Sequence, residues 1–147
     1  MKSHYALLAL NLVLSTAIMY LVMFAMVDGA GDLYNNLNMF YMALMMVAPM
    51  AVLMLVMMRS MYRNTGLNLA LHAGFAALFV LAFLGIRAQA GIGDTQFLRS
   101  MIPHHSGAIL MCREASLSDP EIARLCQQII RSQRTEIEQM RRILARY

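Results

Sequence analysis

Three long apolar runs constrain this chain more than any other feature: roughly Tyr5–Val27, Leu37–Met58 and Leu67–Ile86. Each is about 20 residues, the length needed to cross ~30 Å of hydrocarbon as a helix. Inside a bilayer the backbone must satisfy its own N–H and C=O groups, so such runs fold as helices. A cleavable signal peptide has a shorter apolar core and a small-residue cleavage site. The first run exceeds that length and two more follow it, so it reads as a retained span. Composition agrees: 60% of the residues are hydrophobic and only 14% charged.

The flanking charges set an orientation. Asp28-Gly-Ala-Gly-Asp-Leu-Tyr-Asn-Asn36, between the first two runs, has two acids and no base, whereas Arg59 and Arg63 lie between the second and third and Lys2 precedes the first. The positive-inside bias then puts the N-terminus and second loop in the cytoplasm and the first loop outside. After three crossings the C-terminal part is also outside. Nine of the twelve basic residues lie from Arg87 onward and pull the other way, but short loops weigh more than long domains. The net charge of +4 reads as a solvated or lipid-headgroup-facing surface rather than a nucleic-acid site.

Gly91 and Gly93 end the third span, dividing a membrane domain, residues 1–90, from a soluble hairpin domain, residues 91–147. Asp94 or Thr95 caps a helix expected to reach about Leu117. Its apolar side at helical spacing is Phe97, Met101, His104, Ala108, Met111, Cys112 and Ala115, with His105 on the flank, and Pro103 suggests a kink or restart. Ser118-Asp-Pro-Glu121 carries cap, first-turn proline and dipole-matched acid in order. The helix that follows has a stripe running from Ile122 through Ile129 and Ile137 to Leu144, with arginines on the other side. The fold class is therefore all-α: three transmembrane helices and an antiparallel helical hairpin. A lone hairpin rarely buries both its stripes, so a partner is implied.

Polar groups on the apolar stripes mark the candidate site. His104 and His105 lie on or beside one stripe, Gln133 and Glu136 within the other. A turn centred near Ser118–Asp119 sets His104 opposite Gln133, Met101 opposite Glu136 and Cys112 opposite Cys126. Left unpaired, such buried groups cost about 1–3 kcal/mol each. One reading is a metal site. Met101 lies one turn from His104 and His105, Met140 one turn beyond Glu136, and thioethers with imidazoles suit Cu(I) or Ag(I) better than hard cations. The other is a His–Glu/Gln network that fixes helix register. The cysteines can pack, form a disulfide across the hairpin or ligate a soft metal.

Methionine is over-used, with 16 in the chain. Met39, Met42, Met46, Met50, Met54, Met57 and Met61 recur at helical spacing along the second span; Met19, Met23 and Met26 do so on the first. Such a ladder either packs as flexible apolar side chains or passes a soft ion along the membrane. His72, near the start of the third span, either serves the membrane interior or reaches the interface.

The segment Phe97-Leu-Arg-Ser-Met-Ile-Pro-His-His-Ser-Gly-Ala-Ile-Leu-Met111, then Asp119-Pro-Glu121, then the run from Ile129 to Met140 resembles a bacterial family known as domain of unknown function 305. Its hallmark is Met-Ile-x-His-His followed by Gln-x-x-Glu-Ile-x-x-Met. The resemblance implies a ferritin-like bundle, usually exported, with members linked to copper or silver binding and tolerance. Carried onto this sequence, the metal-site positions are Met101, His104, His105, Met111, Gln133, Glu136 and Met140. Relatives in that family often have two hairpins in tandem. One hairpin here implies a homodimer whose paired hairpins complete a four-helix bundle. The family usually has Ala at the positions of Cys112 and Cys126, and the Met-rich spans look like those of a membrane-bound subgroup.

The expected function is metal binding without catalysis: capture or relay of copper, Cu(I), or silver by a homo-oligomer in the lipid bilayer. The alternative is a metal-free structural or assembly subunit of a larger membrane complex. No nucleophile–base pair or phosphate loop points to an enzyme.

Overall fold

A computed structural model describes residues 2–147, with side chains described from His4 onward. Among these residues all regular structure is helical. Five α-helices follow in order: α1 Lys2–Val22, α2 Leu37–Met57, α3 Thr65–Arg87, α4 Asp94–Glu114 and α5 Pro120–Leu144. Two short 3-10 turns, Met23–Met26 and Ala30–Asp32, lie between α1 and α2. Three segments, His4–Met26, Leu37–Met57 and Thr65–Arg87, are long and apolar enough to span a membrane.

The chain divides into two compact units. The first comprises residues 2–22 and 38–90, the second residues 23–37 and 91–147. The second unit thus includes the connection between the first two spans as well as the hairpin.

In the first unit α2 is the most buried helix. Ala43, Val47, Ala48, Ala51 and Leu55 form its covered side, and small side chains there allow close helix approach. Leu8, Leu55 and Tyr62 form a buried cluster with Phe75 and Met54 against it. The methionine ladder runs beside that covered side rather than along it. Met42 and Met46 are exposed, while Met39, Met50 and Met54 are half-buried. Pro49 sits inside an unbroken α2.

A polar knot closes one end of this unit. The Tyr5 hydroxyl donates to Asn68 Oδ1 at 2.8 Å and accepts from the Asn64 amide, and Asn68 Nδ2 donates to the Tyr62 carbonyl. His72 Nδ1 donates to the Asn68 carbonyl at 2.6 Å, so this imidazole is tied to its own helix. Tyr5→Phe removes the hydroxyl that ties α1 to Asn68 and to the Asn64 amide at the start of α3. It is expected to lower the midpoint of thermal unfolding in detergent, at a cost of about 1 kcal/mol.

In the second unit α4 and α5 pack antiparallel around Leu98, Ile102, Ile109, Ile137 and Met140, with Tyr34 from the 23–37 segment against them. Asp119 caps α5, its carboxylate accepting from the Glu121 amide, with Pro120 in the first turn as the sequence reading has it. α4 ends at Glu114, earlier than the expected Leu117, and passes through Pro103 without interruption. Its covered side also differs from the one read off the wheel. Leu98, Ile102 and Ile109 are buried, whereas Phe97 and Met111 are about half exposed at 50% and 54%. Two neighbours compete for α4, and the wheel centred on only one. Segment 23–37 packs on the side of Ser106 and Gly107, which turns Phe97, His104 and Met111 outward.

Candidate functional site

Segment 23–37 is bolted to the hairpin by buried polar contacts. Ser106, fully buried, donates to Asp32 Oδ2 at 2.7 Å and accepts from the Asp28 amide at 2.8 Å. Asp32 also takes Arg141 of α5, and Asp28 pairs with Arg113 of α4 at 2.7 Å. A Cβ on Gly107 would stand 3.3 Å from the Met26 carbonyl oxygen, so this glycine permits the close approach of backbone to helix. The bolts fix which side of α4 is covered, and thereby which side carries the histidines.

Cys112 and Cys126 are joined by a disulfide across the hairpin, with Cα atoms 5.1 Å apart. That pairing matches the register read from the turn. Further along, the facing residues differ: His105, rather than Met101, meets Glu136, with Nδ1 3.1 Å from Oε2. Helical side chains lean toward their own N-terminus. On α4 this carries them away from the connection and on α5 toward it, so a long α5 side chain meets an α4 residue nearer the connection. His104, expected opposite Gln133, is exposed, and Gln133 is half-buried.

The seven candidate residues therefore separate into two groups. Met101, His105, Gln133, Glu136 and Met140 lie in or beside the seam, while His104 and Met111 lie on the open side. Met101 and Met140 belong to the apolar core, Met140 being 8% exposed.

Glu136 is held in place from two directions. Ser132, one turn earlier on α5, donates to Oε1, and His105 Nδ1 approaches Oε2. The His105 contact has ion-pair distance without hydrogen-bond alignment, and Nδ1 is shut off from water. With Nδ1 buried 3.1 Å from a carboxylate oxygen, Nε2 is the nitrogen left to bind a ligand. Ser132 escaped the sequence reading because it looked like a solvated residue; its i−4 spacing from Glu136 was the available signal.

Burial is the main influence on His105 and lowers its pKa below the usual 6.5; Glu136 opposes this and His104 reinforces it. The imidazole thus stays neutral, and able to coordinate, to lower pH than an exposed histidine. The sign for folding follows: the unfolded chain takes up this proton first. Stability contributed here is full above about pH 6.5 and falls as pH drops below it. An acid unfolding series is expected to show less loss between pH 6.5 and 5 in His105→Gln than in the parent.

The rings of His104 and His105 lie with centroids 6.0 Å apart and planes tilted by 58°. A metal–nitrogen bond of about 2.0 Å plus roughly 1 Å of ring radius puts an ion about 3 Å from each centroid. His104 stands on the open side and His105 toward the seam, so their 6.0 Å separation leaves room for one ion only where both side chains turn toward it, the low coordination that d10 monovalent ions accept. Among the described residues no three His, Cys, Asp or Glu side chains converge on a point. What the site offers is two imidazoles and thioethers, a soft, sparsely charged set.

Residues 85–144 match the family described as Domain of unknown function (DUF305). The chain is also 39% identical over 119 residues to "Uncharacterized protein L153" of Acanthamoeba polyphaga mimivirus, covering 80% of this chain and 76% of that one. An alignment of that length cannot be confined to the hairpin and reaches into the spans. No solved structure matches the chain.

Proposed function

From the premise that residues 85–144 form a DUF305 domain, we propose that the chain is a membrane-anchored soft-metal binding protein that captures Cu(I) or Ag(I), not an enzyme. The observation that carries the reading is His105 Nδ1 buried 3.1 Å from the carboxylate of Glu136, which Ser132 holds from its other oxygen, with the His105 ring 6.0 Å from that of His104. His104 and His105 supply the imidazoles. Met101 stands one turn away as a thioether, and Glu136 orients His105 rather than binding the ion. Gln133 and Met140 line the seam behind it. Thioethers beside α2's covered side, from Met39 to Met61, offer a route of neutral soft donors along the membrane.

The hairpin belongs on the non-cytoplasmic face, the periplasmic side of a bacterial inner membrane. Two features support this: the charge bias of the short loops, and a disulfide, which persists in oxidising compartments. Segment 23–37 and the hairpin share one unit, as an odd number of crossings between them and the N-terminus requires.

Competition titration of the full chain in detergent with a colorimetric Cu(I) chelator tests the reading. Tight 1:1 binding is expected, weakened about 100-fold or more in His104→Ala/His105→Ala, which removes both imidazoles. Affinity no tighter than micromolar, or unchanged in the double variant, refutes it. Glu136→Gln keeps the shape but removes the carboxylate behind His105; a loss of about 10- to 100-fold is expected, as for other outer partners of metal-binding histidines.

A further inference from the structure

α1 meets the rest of its unit through the side of Leu8, which is buried against Leu55 and Tyr62 with Leu12 beside it. Another side of the helix carries Leu7, Asn11, Leu14, Ile18 and Leu21, and all five are exposed. They recur in alternating steps of four and three, the 3.5-residue repeat that holds one seam against a second helix. In that repeat Leu7, Leu14 and Leu21 share one seam position, and Asn11 and Ile18 share the other. Leucine at the first with a β-branched residue at the second is the combination that favours two parallel strands.

Asn11 determines what can cover this seam. It lies about four residues, roughly 6 Å, from the middle of the apolar segment His4–Met26. Its Oδ1 accepts from the Ser15 hydroxyl one turn along, at 3.4 Å, and its amide nitrogen has no partner among the described residues. In hydrocarbon no water serves those N–H donors, and polar side chains at such depth bond across to other helices. The residues that pack on α1 from α2 and α3 gather on the Leu8 side, so the missing acceptor comes from another molecule. A second copy of this chain supplies it by symmetry. Copies inserted with the same topology can pair α1 with α1 only in parallel, about an axis normal to the bilayer. Position 11 then meets position 11 at one depth. A carboxamide both donates and accepts, so one amide's N–H meets the other's carbonyl oxygen. In paired helices a lone asparagine at this seam position fixes register and strand number.

We propose that two copies of this chain pair in the bilayer through α1, as a parallel two-stranded zipper in which Asn11 bonds the partner's Asn11. This rests on the reading of α1 as a membrane span; it requires neither a bound ion nor contact between hairpins.

Both cysteines of the chain are in the disulfide, so a single cysteine added to α1 reports its own neighbours. Leu7→Cys, Leu14→Cys and Leu21→Cys test the seam. Leu10→Cys and Val13→Cys, at positions 55% and 66% exposed on other sides of the helix, are the controls. Membranes holding the full chain are oxidised with iodine and their proteins separated without reductant. The three seam variants should give covalent dimers and the two controls none. In mild detergent, with mass followed by light scattering on dilution, the parent should be a dimer. Asn11→Leu should raise its dissociation constant about tenfold, whereas Asn11→Gln, which keeps the amide, should stay near the parent. Cross-links that ignore the repeat, a cross-linked product with a different protein, a monomeric parent, or a dimer that Asn11→Leu leaves equally tight overturns the inference. A chain that gives such a result but stays in membranes washed at alkaline pH keeps the span reading. Release of the chain by that wash overturns both.

Discussion

Asp32→Ala is expected to destabilise the hairpin unit by about 3 kcal/mol, far more than an ordinary loop substitution. Asp32 is 8% exposed and serves the fully buried Ser106 hydroxyl and the Arg141 guanidinium at once. Removing the carboxylate strands a buried hydroxyl and half-uncovers a charge, and each costs more than the net worth of the bond it loses. Arg141 retains partial access to water, so the loss stays below that of a wholly buried pair. Ser106→Ala should cost less, about 1–2 kcal/mol, because no charge is stranded. Thermal unfolding in detergent, followed by the far-ultraviolet helix signal, gives both values. Equal small effects for the two variants would mean that segment 23–37 does not hold the hairpin.

Loss of the Cys112–Cys126 disulfide should be comparable. The bridge closes a short loop, with a sequence separation of 14, and such a loop stabilises by about 3 kcal/mol in the chain-entropy account. Only five residues form the buried apolar core of the unit, a small core by the standards of independent domains. Covalent and polar staples therefore carry an unusual share of its stability. Cys112→Ala/Cys126→Ala, or reductant added to the parent, is expected to lower the unfolding midpoint of the hairpin unit and to leave the span helices' signal intact. Identical melting curves with and without reductant would contradict this.

What the sequence disclosed, and what it hid, follows from the range of the interactions. Three helices long and apolar enough to span a membrane were legible because bilayer thickness sets the length of apolar run to look for. α5 was legible because its cap, first-turn proline and stripe are all local signals. Cys112 and Cys126 paired as the turn register suggested because they are close to the connection and their short side chains barely lean. The register failed by one turn at His105 and Glu136, where long side chains lean oppositely on antiparallel helices. Least visible was the role of Asp28–Asn36. Its acids looked like an ordinary external loop, and their partners Ser106, Arg113 and Arg141 lie far along the chain, with Ser106 and Asp32 separated by 74 positions. The hairpin was expected to need a partner chain to bury its stripes, and this chain's own segment 23–37 covers one side of it. The segment's placement also decides the phase of α4, which is why His104 and Met111 point outward and His105 inward.

X-ray absorption at the copper edge on the Cu(I)-loaded full chain tests the central claim most directly. The account expects a low-coordinate ion with two imidazole nitrogens and at most a weak sulfur neighbour. The imidazole scattering should be halved in His104→Ala and lost in the double His104→Ala/His105→Ala variant. A spectrum of sulfur donors alone, or one that the double variant leaves unchanged, would contradict it.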